Sequence, residues 1–205
     1  MSDDAIGWFE PLYSDARAGT RSVPWDRGTA HPLLAEWTAE QDLRGGGRRA
    51  LVIGAGLGFD AEHVAGLGFA TTAFDVAPTA VAMARERFPG SAVEYRVADL
   101  LDLPREWEGA FDLVVEVITV QALPEELRAP ATAAIASTVA PGGTLLVVSG
   151  IRDGAPEPGP PWPLTREQVE AFAAGDLELE RLDRAPIPGA EGERRWRAVL
   201  TRSAE

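Results

Sequence analysis

The stretch LVIGAGLGFDAEHV, residues 51–64, decides the fold class of this chain. It opens with an uninterrupted apolar run, continues with glycines at 54, 56 and 58, and becomes helix-forming near Asp60. An apolar run that ends in closely spaced glycines before a helix is typical of a buried strand followed by a nucleotide-binding loop. The glycines let the backbone turn tightly and let a ligand approach the amides of the helix N-terminus. A tight strand-to-helix turn without any ligand is the alternative.

Apolar runs and helix-type segments alternate on both sides of this stretch, which predicts right-handed βαβ units, a parallel sheet and helices on both of its faces. Strands are predicted over 49–53, 70–76, 92–98, 111–118 and 144–150, and helices over 60–67, 78–88 and 124–139. Residues 177–185 and 194–202 are close in sequence and predict an antiparallel pair at one edge of the sheet. A further helix is predicted around residues 31–43. The order of the strands does not follow from this pattern.

Composition narrows the function classes. The chain has 205 residues, 45% of them hydrophobic, which fits one globular domain with a sizeable core. Its net charge is −13 and every cationic side chain is Arg, so we expect neither a nucleic acid nor an anionic membrane as partner. The chain contains no Cys and only two histidines, His31 and His63, so no metal site is expected and both histidines are predicted to be structural. The start, MSDDAIGW, lacks the features of a secretory signal, and we expect a cytoplasmic protein.

Acidic residues at the ends of two predicted strands indicate the kind of ligand. The dinucleotide fingerprint would need a third glycine at position 59, where Phe59 stands. Asp75 follows Gly56 by nineteen residues, where a carboxylate can accept both ribose hydroxyls of either NAD or S-adenosylmethionine. Asp99, after the third strand, favours an adenine-binding edge of the methyltransferase type over an ordinary turn. The chain has no Lys and no room for a second domain after residue 150, so an NAD-dependent oxidoreductase is disfavoured.

Five stretches carry a resemblance to a known family. VPWDRGTAHPLL (23–34), GAGLGFDA (54–61), AFDVAPTAV (73–81), FDLVVEVITVQALPEELR (111–128) and GPPWPLT (159–165) resemble class I S-adenosylmethionine-dependent methyltransferases. More narrowly, they are similar to the thiopurine S-methyltransferase family, which includes thiol, thiocyanate and halide methyltransferases. The resemblance spans residues 12–200, and the pairing of Trp25 with the loop at 159–162 is its most specific feature. It implies S-adenosylmethionine as cofactor and a single-domain Rossmann-like α/β fold with a mostly parallel seven-stranded sheet.

The same resemblance implies a domain plan and a set of site residues. Residues 1–45 would form an N-terminal lid segment and helix, and residues 46–205 the methyltransferase domain. Predicted cofactor contacts are Trp25, Gly54, Ala55, Gly56, Gly58, Asp60, Asp75, Val76, Asp99, Leu100 and Glu116. Predicted substrate contacts are Ile118, Thr119, Gln121, Arg128, Pro161 and Trp162.

Four of these side chains have two interpretations each. Trp25 would fold back over the cofactor, or it anchors the N-terminal arm as a buried residue. Glu116 would lie near the methionine amino group or the substrate, or it binds local amides. Arg128 would orient an anionic nucleophile, or it lies on a solvated face or in a salt bridge. Trp162 would close over an aromatic or apolar substrate, or it packs on the sheet edge. Glu116 and Arg128 are the candidate catalytic residues.

The predicted function is transfer of the methyl group of S-adenosylmethionine to a small molecule by in-line displacement. A thiol or another soft anion is the first candidate acceptor because such nucleophiles need no general base, and the sequence offers no obvious one. An O- or N-methyltransferase of a secondary metabolite and a non-catalytic nucleotide-binding or sensing module are the alternatives. Residues 116–123 lack an aromatic that several family members have, so a thiopurine substrate is not implied. The state of assembly, monomer or homodimer, is open.

Overall fold

The computed structural model describes residues 7–155 and 158–204. Residues 1–6 of the predicted N-terminal lid segment, residues 156–157 and residue 205 lie outside the described residues. The strands are β1 (Arg49–Ile53), β2 (Ala70–Asp75), β3 (Glu94–Val97), β4 (Phe111–Val117), β5 (Val139–Ser149), β6 (Leu177–Pro186) and β7 (Arg194–Arg202). The helices are α1 (Phe9–Arg17), α2 (Pro32–Glu40), α3 (Phe59–Gly66), α4 (Pro78–Arg87), α5 (Glu125–Thr138) and α6 (Arg166–Glu170).

The seven strands form one sheet in the order β3-β2-β1-β4-β5-β7-β6, which confirms the predicted fold class. Strands β1 to β5 pair in parallel, while β7 pairs antiparallel with both β5 and β6. Strand β1 lies between β2 and β4, so the strand order reverses at its two sides. In open α/β sheets such a reversal leaves a crevice above the carboxyl ends of the strands, where ligands bind.

Two apolar clusters cover the two faces of the sheet. On β1, Leu51 and Ile53 belong to the cluster under α5 and α6, whereas Ala50 and Val52 belong to the cluster under α2, α3 and α4. Alternate residues of a strand face opposite sides, so a strand covered on both faces must be apolar throughout. This is why the central strands are continuous apolar runs, and why the sequence predicts them.

Helix α1 lies apart from these two layers and was not predicted. Leu12 and Tyr13 of α1 pack with Leu57 of the glycine loop and with Ala80 of α4 in a third apolar cluster. Glu10 of α1 also accepts a hydrogen bond from the backbone N–H of Thr79 at 3.0 Å. The chain preceding α2 is therefore held against the carboxyl ends of β1 and β2.

The boundary between α5 and β5 differs from the prediction. The helix ends at Thr138 and β5 starts at Val139, five residues before the predicted strand. The register of β4 on β5 shifts between Phe111 and Leu113, where the glycine-containing segment at 140–143 bulges. Glycine and proline in that segment hid the first part of the strand, because both are typical of a turn.

Candidate active site

A pocket opens above the carboxyl ends of β1 to β4, and its main-chain wall is the glycine loop between β1 and α3. Gly54 has φ +61°, and a side chain there would place its Cβ 2.4 Å from Oγ1 of Thr119. Gly58 has φ +91°, and a Cβ there would lie 2.5 Å from the hydroxyl of Tyr95. Both backbone conformation and space therefore require glycine at these two positions.

Asp75 ends β2 and holds the glycine loop in place. One carboxylate oxygen accepts from the N–H of Gly56 at 2.9 Å, and the other accepts from the N–H of Ala77 at 2.9 Å. Burial raises the pKa of Asp75 to about 6, although these two amides act in the opposite direction. Each carboxylate oxygen has a further lone pair, so Asp75 lines the pocket as an acceptor for a ligand.

Asp99 follows β3 and also lines the pocket. Its Oδ1 accepts from the backbone N–H of Leu101 at 2.8 Å, which fixes the turn after the strand. Because β3 is the edge strand beside β2, Asp99 and Asp75 border the pocket at neighbouring strand ends. Leu100 adds a buried apolar side chain between these polar groups and the core.

Four aromatic side chains from the N-terminal segment line the pocket beside the glycine loop, and we call residues 8–31 the N-terminal strap. The rings of Trp8 and Phe9 stack at 4.0 Å, and Trp25 meets Trp8 edge-on at 6.1 Å. The indole N–H of Trp25 donates to the hydroxyl of Tyr13 at 2.9 Å. A Cβ on Gly56 would lie 3.1 Å from that hydroxyl, so the strap touches the loop directly.

His31 and Asp60 connect the strap to α3. The backbone N–H of His31 donates to Oδ1 of Asp60 at 2.6 Å, and Nδ1 of His31 accepts from the N–H of Leu33 at 3.2 Å. Burial raises the pKa of Asp60. Burial lowers the pKa of His31 to about 3, and the nearby guanidinium groups of Arg27 and Arg195 act in the same direction.

The pocket wall at the end of β4 carries a strained residue. Ile118 has φ +62°, a conformation that is rare for a β-branched side chain, and it is held there by a 2.8 Å bond from its N–H to the carbonyl of Val148. Strain of this kind is concentrated at functional sites. Ile118 and the adjacent Thr119 both line the pocket, so this backbone turn shapes part of its wall.

Glu116 lies beneath this wall and does not line the pocket. Its side chain is completely buried, and its Oε1 accepts from the N–H groups of Thr119 at 2.7 Å and Val120 at 2.9 Å. Oε2 has no hydrogen-bond partner among the described residues. Burial raises the pKa of Glu116 to about 7. The structure thus gives Glu116 the amide-binding role that the sequence left as an alternative.

Most of the predicted site residues come together around the pocket. Those that line it are Trp25, Gly54, Ala55, Gly56, Gly58, Asp60, Asp75, Val76, Asp99, Leu100, Ile118, Thr119 and Pro161. Besides Glu116, three predicted residues do not: Gln121, Arg128 and Trp162.

These three residues form a separate group behind the pocket wall. The side-chain oxygen of Gln121 accepts from the N–H of Gly150, and its backbone carbonyl accepts from the N–H of Trp162 at 2.7 Å. Arg128 is buried and donates to the carbonyl of Leu123 at 3.0 Å. Its guanidinium lies 5.8 Å from the centre of the Trp162 ring. Their predicted contact with a substrate stays a prediction.

Sequence reasoning missed much of the strap. Pocket-lining residues that were not predicted include Trp8, Phe9, Tyr13, Asp26, Arg27, Thr29, His31, Leu57, Phe59, Phe74, Leu101 and Leu123. The aromatic run in WFEPLY, residues 8–13, is a signal that could have directed attention to the strap. Within the described ranges 7–155 and 158–204, no cluster of three or more metal-ligating side chains occurs, and no helix combines the length and hydropathy that crossing a bilayer requires.

The chain matches one protein-family model over the core of this site. Residues 50–143, which are less than half of the chain, match the model described as "Methyltransferase domain". The match begins in β1 and ends in β5, so it includes the glycine loop, Asp75 and Asp99 but neither the strap nor the antiparallel edge. The pocket is therefore lined by the matched segment, by the strap and by Pro161.

The chain is also similar to a curated protein over about half of its own length. The chain is 39% identical over 103 residues to a ubiquinone biosynthesis O-methyltransferase of Xanthomonas campestris pv. campestris, an alignment that covers 49% of this chain and 42% of that protein. The chain thus spans less than half the length of that relative.

Two solved structures share the fold over nearly the whole chain. A structure described as "Conversion of a Disulfide Bond into a Thioacetal Group during Echinomycin Biosynthesis" has a TM-score of 0.75 and 23% identity, covering 96% of this chain and 94% of that chain. The 1,6-didemethyltoxoflavin-N1-methyltransferase of Burkholderia thailandensis, solved with S-adenosylhomocysteine, has a TM-score of 0.72 and 21% identity, covering 96% and 86%. The narrower resemblance to thiopurine and thiol methyltransferases finds no counterpart among these matches.

Proposed function

We propose that this protein is an S-adenosylmethionine-dependent methyltransferase of a small molecule. The observation that carries the proposal is one pocket that unites the glycine loop, the carboxylates at the ends of β2 and β3, and the aromatic strap. S-adenosylmethionine supplies both the methyl group and its own leaving group, so the protein needs chiefly to align the acceptor and exclude water.

The residues present fit this cofactor. Asp75 offers free lone pairs to ribose hydroxyls, and Asp99 stands at the neighbouring strand end, where an adenine would lie. The glycines leave the loop open to close approach of a ligand. Asp26, Asp60, Asp75 and Asp99 line the pocket against one arginine, Arg27, so the lining favours a positively charged ligand such as a sulfonium.

The strap would contribute in two ways. Trp25 presents an indole to the pocket, and a desolvated cation over an indole face gains about 1–2 kcal/mol. Trp8, Phe9 and Tyr13 close the same side with apolar surface, which keeps water away from the reacting groups. Trp25 and Tyr13 also fix each other through their hydrogen bond, so the indole is oriented before a ligand arrives.

The acceptor has two candidates with different support. A thiol or another soft anion is implied by the family resemblance of the sequence, and it reacts without a general base. An oxygen acceptor is supported by the 39% identity to an O-methyltransferase. The acidic lining repels a free inorganic anion, so for either acceptor we propose a neutral organic molecule that fits against the apolar side chains of Ile118, Ala122 and Leu123.

The cofactor assignment is tested by binding. Titration calorimetry with S-adenosylmethionine, S-adenosylhomocysteine and NAD should give binding of the first two and none of NAD. Trp25→Ala should weaken S-adenosylmethionine about tenfold and S-adenosylhomocysteine, which lacks the positive charge, considerably less. Arg21→Ala, an exposed strap residue outside the pocket, is the matched control. Equal losses for the two ligands would remove the cation–π role of Trp25.

The activity is tested with labelled S-adenosylmethionine and separate pools of thiols, phenols, other oxygen acceptors, amines and halides. Transfer to thiols alone would favour the soft-nucleophile acceptor, and transfer to phenols the oxygen acceptor. Tight binding of the cofactor without transfer to any pool would favour the non-catalytic binding module instead. Binding of NAD with no affinity for the adenosyl ligands would contradict the proposed function.

A further inference from the structure

Two segments that are distant in sequence line the part of the pocket that we propose for the acceptor. Ala122 and Leu123 belong to the segment between β4 and α5, and Pro161 belongs to the loop between β5 and α6. All three contribute apolar surface. A wall that is built from two loops keeps its shape only when other contacts fix one loop relative to the other.

Gln121 joins the two segments, although it does not line the pocket. Its backbone carbonyl accepts from the N–H of Trp162 at 2.7 Å, next to Pro161. Its side-chain oxygen accepts from the N–H of Gly150, where the loop after β5 begins. The side chain of Gln121 is buried, so water does not compete for the bond to Gly150. One residue therefore ties the start and the end of this loop to the segment after β4.

Arg128 makes a second connection between the same segments. Its side chain is 6% exposed, and its Nε donates to the carbonyl of Leu123 at 3.0 Å. Its guanidinium lies 5.8 Å from the centre of the Trp162 ring, and a Cβ at Gly159 would lie 2.5 Å from that indole. Burying a guanidinium is costly unless it is hydrogen-bonded and stacked, so these contacts hold it in place. The backbone of Leu123 is thereby fixed relative to the loop that carries Pro161.

We propose that Gln121 and Arg128 are positioning residues for the methyl acceptor, because they fix Leu123 relative to Pro161 and so set the width of the acceptor part of the pocket. The inference rests on the proposed function and deepens it, since it names side chains that decide which acceptors fit. In this role Arg128 acts through Leu123 rather than by contacting the substrate. The glycine loop and the carboxylates at the ends of β2 and β3 are held by other contacts, so cofactor affinity should not depend on either residue.

Three variants separate the two connections. Arg128→Met removes the bond to Leu123 and keeps an apolar stem of similar length, so the packing of α5 is largely retained. Gln121→Met removes the acceptor for the N–H of Gly150, whereas Gln121→Glu keeps an oxygen at that place and is the conservative variant. Arg166→Met, at an exposed position of α6, is the control for the loss of an arginine.

Amide hydrogen exchange of the ligand-free protein tests the contacts themselves. We expect Arg128→Met to accelerate exchange at Leu123 and Trp162 by about tenfold or more, and to leave exchange in the centres of β1 and β4 unchanged. Gln121→Met should accelerate exchange at Gly150, and Gln121→Glu should do so much less. Unchanged exchange at Leu123 and Trp162 in Arg128→Met would overturn the role of Arg128, whatever the activity of the protein.

Kinetics test the consequence for the acceptor. The probes are benzenethiol and phenol, one for each proposed acceptor class, with labelled S-adenosylmethionine as donor. For the probe that the wild type methylates, Arg128→Met and Gln121→Met should raise KM about tenfold, as the loss of a buried hydrogen bond predicts, and change kcat less. Gln121→Glu should restore most of the affinity for the acceptor. The Kd of S-adenosylhomocysteine should stay within about twofold in every variant.

Two results would overturn the inference alone. One is faster exchange with an unchanged KM, which would mean that the two connections do not shape the acceptor part of the pocket. The other is an equal loss of affinity for the acceptor and for S-adenosylhomocysteine, which would indicate general loosening of the pocket. A wild-type protein that does not bind S-adenosylhomocysteine would instead refute the proposed function itself, and this inference with it.

Discussion

At the scale of one residue, the buried carboxyl of Glu116 stabilises the backbone turn after β4. Two amides that follow β4 donate to its Oε1, while Oε2 has no partner among the described residues. Burial raises its pKa to about 7, so the folded protein retains a proton that the unfolded chain releases at lower pH. The stability contributed by the neutral form is therefore complete at low pH and is lost as the pH rises through about 7.

Glu116→Gln should remove this pH dependence. Glutamine resembles the protonated carboxyl, and it does not ionise. We therefore expect the difference in free energy of unfolding, variant minus wild type, to be about 1–3 kcal/mol larger at pH 8 than at pH 5. Urea unfolding at both pH values measures the difference. Glu126→Gln removes an equal charge from an exposed position of α5 and serves as control. A constant difference between Glu116→Gln and wild type at the two pH values would show that Glu116 is ionised in the folded state throughout.

Gly54 is required for two separable reasons, the positive φ and the contact with Thr119. Gly54→Ala should destabilise the protein by about 2–4 kcal/mol, because strain of the backbone adds to overlap with Oγ1 and Cγ2 of Thr119. Thr119→Ala removes those two atoms and leaves only the Cβ, at 3.2 Å. Equilibrium unfolding should show that the double variant loses less free energy of unfolding than the two single variants together, by about 1 kcal/mol. Simple additivity would mean that backbone strain alone excludes alanine.

At the scale of elements, a side chain of the strap caps the N-terminus of α4, and this contact also holds the strap in place. Ala77 precedes α4 and has no side chain that can cap it, and Glu10 of α1 accepts from the backbone N–H and the hydroxyl of Thr79 instead. A carboxylate at a helix N-terminus satisfies a free amide and interacts favourably with the helix dipole. This contact therefore serves both the start of α4 and the docking of α1.

Glu10→Ala should cost about 1 kcal/mol of stability and accelerate amide hydrogen exchange at Thr79. Exchange within α1 should rise as well, because the helix loses a polar anchor and retains only its apolar contacts. Asp15→Ala changes an exposed carboxylate of the same helix and is the control. Faster exchange at Thr79 with α1 unaffected would show that Glu10 caps α4 without holding the strap.

The sequence reveals the central elements because the sheet is covered on both faces, so β1 and β4 are apolar runs whatever their neighbours are. The strap is different: α1 contains Pro11, which is tolerated in the first turn, and its apolar face depends on docking to α4. Asp75 and Asp99 were predictable because a strand end fixes their position. Trp8 and His31 reach the pocket only through long-range packing. The short α6 did have a local signal, the capping box of Thr165 and Gln168.

At the scale of the whole molecule, the net charge lowers the stability of the fold, whereas local ion pairs raise it. The chain carries thirteen more acidic than basic side chains, and this excess repels itself in the folded state. Pairs such as Arg96 with Glu94 and Arg166 with Glu170 are exposed, and exposed pairs contribute about 0–1 kcal/mol each. Salt screens both the repulsion among the excess acidic groups and the attraction within the ion pairs. The effect of salt on stability therefore shows which of the two is larger.

We expect the excess charge to dominate at neutral pH. Raising NaCl from 20 to 200 mM at pH 7.5 should increase the melting temperature by about 2–4 °C, corresponding to roughly 1 kcal/mol for a protein of this size. At pH 5, close to the sequence pI of about 4.6, few excess charges remain and the same change should have little effect. Differential scanning calorimetry at the two pH values measures both. A melting temperature that falls with salt at pH 7.5 would mean that the surface ion pairs outweigh the mean repulsion, because only their screening lowers stability.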